Sequence, residues 1–353
     1  MTVASEPLPP RRPVGRAIHQ LAIMLAIAVP AVVIMPRIAD RPVTSTQSGR
    51  SGAATSTQAA RLLLTATLPL EGRTTAVLAT PDAVWTLSAD AVQRIDPETN
   101  QIVATFPRAA EAGFGGGFAY DGSSLWIEEE SVTWSTINGM FRLDPSTGAR
   151  TGHWDYGSFL PSASLYAEGY IWVGTANLDE PGIFRIDTGA DGVRHRIPVE
   201  GAVQRLTSYG SEIWGLSFTG EGTTELFVID AATLQSRVVT SVNAMDLGVG
   251  PTGVWISGWN DSFSGIYRLD PATGSVLQTV EVAGASAVAL EGDTLWVLSE
   301  NRVTRVDATS GTITGSIDLD GGTDLTVRDG TVWVVDYGNG VTTPTGRLFR
   351  IDT

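Results

Sequence analysis

The feature that most constrains the fold of this chain is a repeat of roughly 40 residues that occurs seven times. Each copy contains a tryptophan directly after a β-branched residue or leucine, and successive tryptophans lie 41, 46, 42, 41, 41 and 37 residues apart. They are Trp85, Trp126, Trp172, Trp214, Trp255, Trp296 and Trp333. A period of this length, with several short strand-like runs per copy, is typical of a β-propeller blade. The sequence therefore predicts an all-β, seven-bladed β-propeller.

A second signature follows each tryptophan and usually reads Arg, an apolar residue, then Asp. Its copies are Arg94–Asp96, Arg142–Asp144, Arg185–Asp187, Val228–Asp230, Arg268–Asp270, Arg305–Asp307 and Arg350–Asp352. Four strands are predicted per repeat; in the sixth they are Ala285–Leu290, Thr294–Ser299, Arg302–Asp307 and Thr312–Leu319. Asp-Pro-x-Thr-Gly at Asp144–Gly148 is turn chemistry, because Asp opens a turn and Gly accepts the positive φ at its end. The repeated tryptophans and aspartates are therefore interpreted as structural.

The two ends of the chain are predicted to complete the ring together. The last repeat stops at Thr353, after its third strand, and lacks an outer strand. Arg61–Leu70 resembles outer strands such as Ser275–Val282 but precedes the first inner strand. We expect this N-terminal strand to close the last blade, which also removes an open sheet edge.

The first 60 residues differ in composition from the repeats. The sequence predicts a short basic tail over 1–16, an apolar anchor helix over 17–38, a flexible Ser/Thr/Gly stalk over 39–60 and the propeller over 61–353. Three interpretations of the apolar segment compete, namely an uncleaved transmembrane anchor, a cleaved signal peptide and a buried globular helix. The first places the propeller outside the cytoplasm on a single-pass anchor; the second makes it a secreted protein.

Charge and cysteine content exclude several classes of function. The chain has 23 basic and 38 acidic residues, a net charge of −15 at pH 7, which disfavours nucleic acid as a partner. Cysteine is absent, so disulfides and thiolate metal sites are excluded. No nucleophile elbow, phosphate-binding loop or metal-spaced cluster of histidines and carboxylates occurs in the sequence.

The repeat resembles bacterial seven-bladed propellers of the YVTN-repeat and streptogramin-lyase-like superfamily. The likeness lies in the "LWV" tryptophan strand and the "RIDP.TG" strand and turn, and it covers residues 61–353. It implies the fold, whereas proteins of this superfamily include binding proteins, lyases and lactonases. Resemblance to the streptogramin lyases in particular implies a histidine that acts as a base and a magnesium ion held by glutamate. This chain has only His19, His153 and His195, and the last two are predicted on or beside outer strands, away from the channel.

Charged residues interrupt the inner strands at one repeated position. Nine residues before each tryptophan, four repeats have alanine or glycine there, whereas three have Arg205, Asp246 and Asp324. These three are predicted to line the mouth of the central channel. Two interpretations stay open: a solvated Arg–Asp pair between neighbouring blades, or a ligand or cation site in which Asp246 and Asp324 hold Ca²⁺ or Mg²⁺.

Long connections between the second and third strands supply a further set of candidate binding residues, predicted on the same face as the channel mouth. Trp134 and Trp259 lie outside the repeat register, so either a binding surface or loop packing accounts for them. The full set is Glu128, Glu129, Glu130, Trp134, Asn177, Asp179, Trp259, Asn260, Asp261, Asp336, Tyr337 and Asn339.

Three hypotheses for function follow from these features. The leading one is a monomeric cell-envelope propeller, tethered to the membrane, that binds or scaffolds a protein or polysaccharide partner and needs no cofactor. The second is a lactonase- or lyase-type enzyme that depends on a divalent cation at the central channel. The third is a structural or sensory ectodomain without a ligand.

Overall fold

The computed structural model describes residues 61–108, 117–129, 139–155, 161–176, 181–189, 194–220, 223–260, 263–299, 301–338 and 345–353. In these ranges the chain forms strands and turns, and no helix is present among them. The strands assemble into seven antiparallel sheets of four strands each. The innermost strands contact one another around a closed ring, in which the last blade touches the first. The predicted seven-bladed, all-β propeller is confirmed.

Blades are numbered along the chain, and the first strand of each blade is its innermost strand. The strands of blade 1 are β2 (Thr74–Thr80), β3 (Ala83–Ser88), β4 (Ala91–Asp96) and β5 (Gln101–Pro107). Those of blade 2 are β6 (Phe118–Tyr120), β7 (Leu125–Glu129), β8 (Gly139–Leu143) and β9 (Arg150–Asp155). Those of blade 3 are β10 (Pro161–Ala167), β11 (Tyr170–Thr175), β12 (Ile183–Asp187) and β13 (Arg194–Ile197). Those of blade 4 are β14 (Ala202–Tyr209), β15 (Glu212–Gly220), β16 (Thr223–Asp230) and β17 (Ser236–Val242).

The remaining three blades follow the same order. The strands of blade 5 are β18 (Ala244–Gly250), β19 (Gly253–Asn260), β20 (Phe263–Leu269) and β21 (Val276–Glu281). Those of blade 6 are β22 (Ala287–Glu291), β23 (Thr294–Ser299), β24 (Arg302–Asp307) and β25 (Thr312–Asp318). Blade 7 contains β26 (Asp324–Arg328), β27 (Thr331–Asp336), β28 (Arg347–Asp352) and, as its outer strand, β1 (Leu63–Pro69).

The ring closes through its own first strand, as the sequence predicts. β1 pairs antiparallel with β28, and Leu63 lies opposite Asp352. The Asp352 carboxylate accepts a hydrogen bond from the Thr65 hydroxyl of the closing strand at 2.8 Å. Leu68 and Leu70 are buried beside this seam. Hydrogen bonds and apolar burial therefore both join the N-terminal strand to the last blade.

The seven repeated tryptophans form the core between blades. Every one is at most 2% exposed, so they are not available to stack on a ligand. In six blades the tryptophan lies directly opposite the signature arginine on the neighbouring strand, as Trp85 lies opposite Arg94. The Arg350 guanidinium lies 5.3 Å from the Trp333 ring centroid, which is within the range of a cation–π interaction.

The signature aspartates open the turns that join third and outer strands. Asp270 Oδ1 accepts hydrogen bonds from the backbone amides of Ala272 and Thr273 at 2.9 and 2.8 Å. These amide bonds lower the pKa of Asp270, because they favour the ionised carboxylate. Gly274 ends the turn at φ 70°, a conformation that glycine adopts without strain. The structural interpretation of these aspartates is confirmed.

The N-terminal anchor helix and stalk, predicted over 17–60, lie outside the described residues. Within the part of the chain that the structure does describe, no helix has the length and apolar character needed to cross a membrane.

Candidate functional site

The inner strands bring the three charged residues of the repeated position to the central channel. Arg205 lies on β14, Asp246 on β18 and Asp324 at the start of β26. Asp246 Oδ2 accepts a hydrogen bond from the Val288 amide of blade 6 at 2.8 Å. Asp324 Oδ2 accepts one from the Val77 amide of blade 1 at 3.0 Å. Each carboxylate thus caps a backbone amide on the free edge of the next blade's inner strand.

Arg205 completes this group. Its Nε lies 3.2 Å from Asp246 Oδ1, so the pair joins blades 4 and 5. The arginine side chain is 47% exposed and that of Asp246 only 13%, because the arginine extends toward solvent while the carboxylate sits against the strand edges. The structure therefore contains the Arg–Asp ion pair between neighbouring blades, which is one of the two interpretations of these residues.

Burial perturbs the acid–base behaviour of both aspartates. It raises the pKa of Asp324 to about 6, and the negative charge of Asp246 raises it as well, whereas Arg205 lowers it. Burial also raises the pKa of Asp246, against the opposing charge of Arg205. Asp324 therefore exchanges a proton close to neutral pH, where carboxylates in water are fully ionised.

Nothing in the described ranges adds a third metal ligand to these two aspartates. Among the described residues, no three His, Cys, Asp or Glu side chains are grouped closely enough to hold a metal ion. His153 and His195 lie on the outer strands β9 and β13, as predicted, and away from the inner strands. The Ca²⁺ or Mg²⁺ site stays a prediction that rests on Asp246 and Asp324 alone.

The structure places Asp336 in a buried ion pair at the end of β27, with the partly exposed Tyr337 directly after it. Asp336 is the last residue of that strand and is 9% exposed, so its prediction as a loop residue is wrong. Arg347, directly opposite on β28, donates from Nε to Asp336 Oδ2 at 2.9 Å. Tyr337 follows, and the Arg73 guanidinium lies 4.2 Å from its ring centroid. The buried charge of Asp336 is neutralised by Arg347, as burial requires.

The prediction of loop positions is also wrong for Glu128 and Glu129. Both belong to β7 and are 0% and 5% exposed. Glu128 Oε2 accepts a hydrogen bond from the Gly117 amide at 2.7 Å, and Glu129 Oε1 lies 2.9 Å from Arg150 Nη2. One feature of the sequence could have indicated this buried cluster. Glu128 occupies the position two residues after the tryptophan, where every other repeat has an uncharged residue.

Sequence reasoning missed one member of that cluster altogether. Arg108 is only 7% exposed and donates to the carbonyl oxygens of Ser88 at 2.8 Å and Glu128 at 3.1 Å. Burial lowers the pKa of Arg108, and the charge of Glu129 opposes that shift. The arginine therefore links blade 1 to blade 2.

The other candidates are only partly described. Trp134 and Asp261, with Glu130, Asn177, Asp179 and Asn339, lie outside the described residues. Trp259 and Asn260 are strand residues of β19, paired with Ser264 and Phe263, and not the loop residues that the sequence predicted. Their backbone pairing extends β19 to eight residues, whereas β15 of blade 4 has nine and the second strands of the other five blades have five or six.

The two faces of the ring differ in how regular they are. We call the loop face the one where inner strands begin and where second and third strands are connected; the turn face is opposite. On the loop face, the connections between second and third strands have two residues in four blades, namely 89–90, 221–222, 261–262 and 300–301. The same connections are longer in blades 2, 3 and 7, where they are 130–138, 176–182 and 337–346. On the turn face, third and outer strands are joined by short turns such as Asp96–Asn100 and Asp270–Gly274. Length variation is therefore concentrated on the loop face.

Comparison with known proteins supports the architecture. No family model and no curated protein matches the sequence. Among solved structures 1270 chains match, including BamB from Moraxella catarrhalis, at 15% identity and a TM-score of 0.56. That alignment covers 83% of this chain and 100% of the BamB chain. The likeness shows the fold. At this level of identity it does not extend to activity or partner, and membership of the YVTN-repeat and streptogramin-lyase-like superfamily stays a prediction.

Proposed function

We propose that this propeller is a binding or scaffolding module that holds a protein partner on its loop face. The observation that carries the proposal is the concentration of long connections on that face. Three of them, 130–138, 176–182 and 337–346, lie within four consecutive blades, namely 7, 1, 2 and 3. Recognition residues are commonly found on variable loops that a rigid scaffold positions.

The bases of two of these loops, 337–346 and 130–138, are held in place, which favours binding. Asp336 and Arg347 form their ion pair directly at the two ends of 337–346. Glu129 lies opposite Gly139 at the two ends of 130–138 and is bound by Arg150. Above stems that are already fixed, a loop loses less conformational freedom when a partner binds.

The sequences of these loops and of the corresponding connection in blade 5 fit a protein surface. Trp134 and Tyr337 supply aromatic side chains, and Trp259 lies beside the 261–262 connection of blade 5. Aromatic residues with polar neighbours dominate the binding energy of protein interfaces. The channel residues Asp324 and Asp246 instead join neighbouring blades, because their oxygens accept hydrogen bonds from the Val77 and Val288 amides.

The cell envelope is the proposed location. This part of the proposal rests on the sequence before residue 61, where three arginines precede the apolar run Leu21–Met35 and a Ser/Thr/Gly stalk follows it. A flexible stalk over 39–60 would keep the ring clear of the membrane.

Site-specific photo-crosslinking in cells of the source organism tests the proposal. A photoreactive amino acid is introduced at Trp134 or Tyr337 on the loop face, and at exposed Ala272 on the turn face as the matched control. We expect both loop-face positions to yield an adduct with the same protein and Ala272 to yield none. An adduct that forms equally from Ala272, or none from either loop-face position, would refute the proposed face.

A further inference from the structure

The seam between blades 4 and 5 departs from the other seams of the ring. Six blades place the signature arginine opposite the tryptophan, but in blade 4 Val228 lies opposite Trp214. In blades 3 and 7 that arginine reaches the next blade's turn: Arg185 Nη1 donates to the Ala231 carbonyl oxygen at 3.4 Å, and Arg350 Nη1 donates to Asn100 Oδ1 at 3.0 Å. In blade 4 the outer strand supplies the connection instead, and Arg237 Nη2 donates to the Pro271 carbonyl oxygen at 3.1 Å.

The outer strand of blade 4 is also irregular at a different place. In blades 1, 2, 5, 6 and 7 the register shift of the outer strand lies at the signature arginine, as between Arg305 and Val306. In blade 4 it lies two residues nearer the loop face, between Leu226 and Phe227, with Val239 as the extra residue. A bulge bends its strand, so moving it changes the path of the strand end that follows.

A groove of about 380 Å³ lies at this seam. Thr240, Ser241 and Asn243 line it from blade 4, and Ile256, Tyr267 and Leu269 line it from blade 5. The three blade 5 residues are buried, and Ser241 and Asn243 are exposed at the rim. None of the residues that line the groove is charged, in a chain whose net charge is −15.

This lining selects a class of ligand. A charged ligand would lose hydration without gaining a counter-charge, so it is disfavoured. Hydroxyl and amide groups at the rim both donate and accept hydrogen bonds, and the floor is aromatic and aliphatic. Sugar rings combine an apolar C–H face with a hydroxyl edge, and the volume lies within the usual range of small-molecule sites. We propose that the groove between blades 4 and 5 binds a neutral saccharide, separately from the protein partner on the loop face.

Saturation-transfer difference NMR on the full-length protein tests this proposal, in micelles of a detergent that lacks a sugar headgroup. The probes are maltose, cellobiose and N,N′-diacetylchitobiose, with glucuronic acid as the charged comparison. We expect saturable binding of at least one neutral disaccharide and weaker binding of glucuronic acid. Ser241→Trp places a large ring in the groove from its exposed rim and should weaken binding by about tenfold, the equivalent of 1.4 kcal/mol.

The matched control is Glu281→Trp. Glu281 is exposed and is the blade 5 equivalent of Ser241. On the third strand of its blade, each residue pairs with the position five residues before the signature aspartate. We expect this variant to bind as the unmodified protein does, and both variants to keep its thermal midpoint. The proposal is overturned if no neutral disaccharide binds, if glucuronic acid binds equally well, or if the two variants weaken binding to the same extent.

Discussion

Replacing Asp324 by asparagine should make the propeller more stable at pH 8 and leave its stability almost unchanged near pH 4. In the folded protein burial raises the pKa of Asp324 to about 6, against 3.8 for an aspartate in water. The folded state therefore holds this proton more tightly than the unfolded chain does. As pH rises from 3.8 to 6, the unfolded state gives up its proton first, so the free energy of unfolding falls. Above pH 6 the full cost of the buried charge is present.

The size of the effect follows from the difference between the two pKa values. Each pKa unit corresponds to 1.36 kcal/mol, so the ionised Asp324 carboxylate costs the folded state about 3 kcal/mol above pH 6. Asparagine keeps an oxygen that can accept the Val77 amide, and it does not ionise. Asp324→Asn should therefore raise the free energy of unfolding by about 2–3 kcal/mol at pH 8, which is about 5 °C in thermal midpoint for a domain of this size.

Thermal unfolding followed by circular dichroism from pH 4.5 to 8 measures this difference. Asp318→Asn is the matched control, because Asp318 is 74% exposed and pairs with Arg302 at the surface. An exposed pair contributes little to stability, so we expect a small and nearly constant effect from the control. The reasoning is refuted if the advantage of Asp324→Asn over the unmodified protein does not grow between pH 4.5 and pH 8.

Two further predictions concern closure and metal binding. Deleting residues 61–70 removes β1 with buried Leu68 and Leu70, so the free energy of unfolding should fall by about 4 kcal/mol or more; an unchanged thermal midpoint would contradict closure by this strand. Adding Ca²⁺ or Mg²⁺ should leave the thermal midpoint unchanged, because Asp246 is already bonded to Arg205 and the Val288 amide. A metal-dependent increase that Asp246→Ala abolishes would instead favour the cation-dependent lactonase or lyase.

The repeat allowed much of the fold to be predicted, because propeller blades are built from local contacts. In the sixth repeat the second and third strands, Thr294–Ser299 and Arg302–Asp307, have the predicted bounds. The turns were equally accessible, since Asp-Pro-x-Thr-Gly specifies its own hydrogen bonds. Closure could be inferred from Arg61–Leu70 because an outer strand missing at one end of the chain was present at the other.

The candidate site was less accessible to sequence reasoning. The position nine residues before each tryptophan correctly brought Arg205, Asp246 and Asp324 to the inner strands. Their partners could not be found in this way, since the Val77 amide is 247 residues from Asp324 along the chain. Glu128 and Glu129 were predicted on a loop because carboxylates are seldom buried, and their burial depends on Arg108 and Arg150 from other strands.

The seven blades, the strand that closes them and the structural role of their tryptophans and turn aspartates follow from the amino-acid sequence alone. Each of these properties depends on groups a few residues apart, or on a pattern that recurs along the chain. The packing of the blades determines which charges are neutralised, which amides are capped and where two neighbouring blades form a groove. Those outcomes depend on groups that meet only when blades pack against each other. Val228, which stands where six blades have arginine, is one example, because only the packed structure shows a groove at the seam with blade 5.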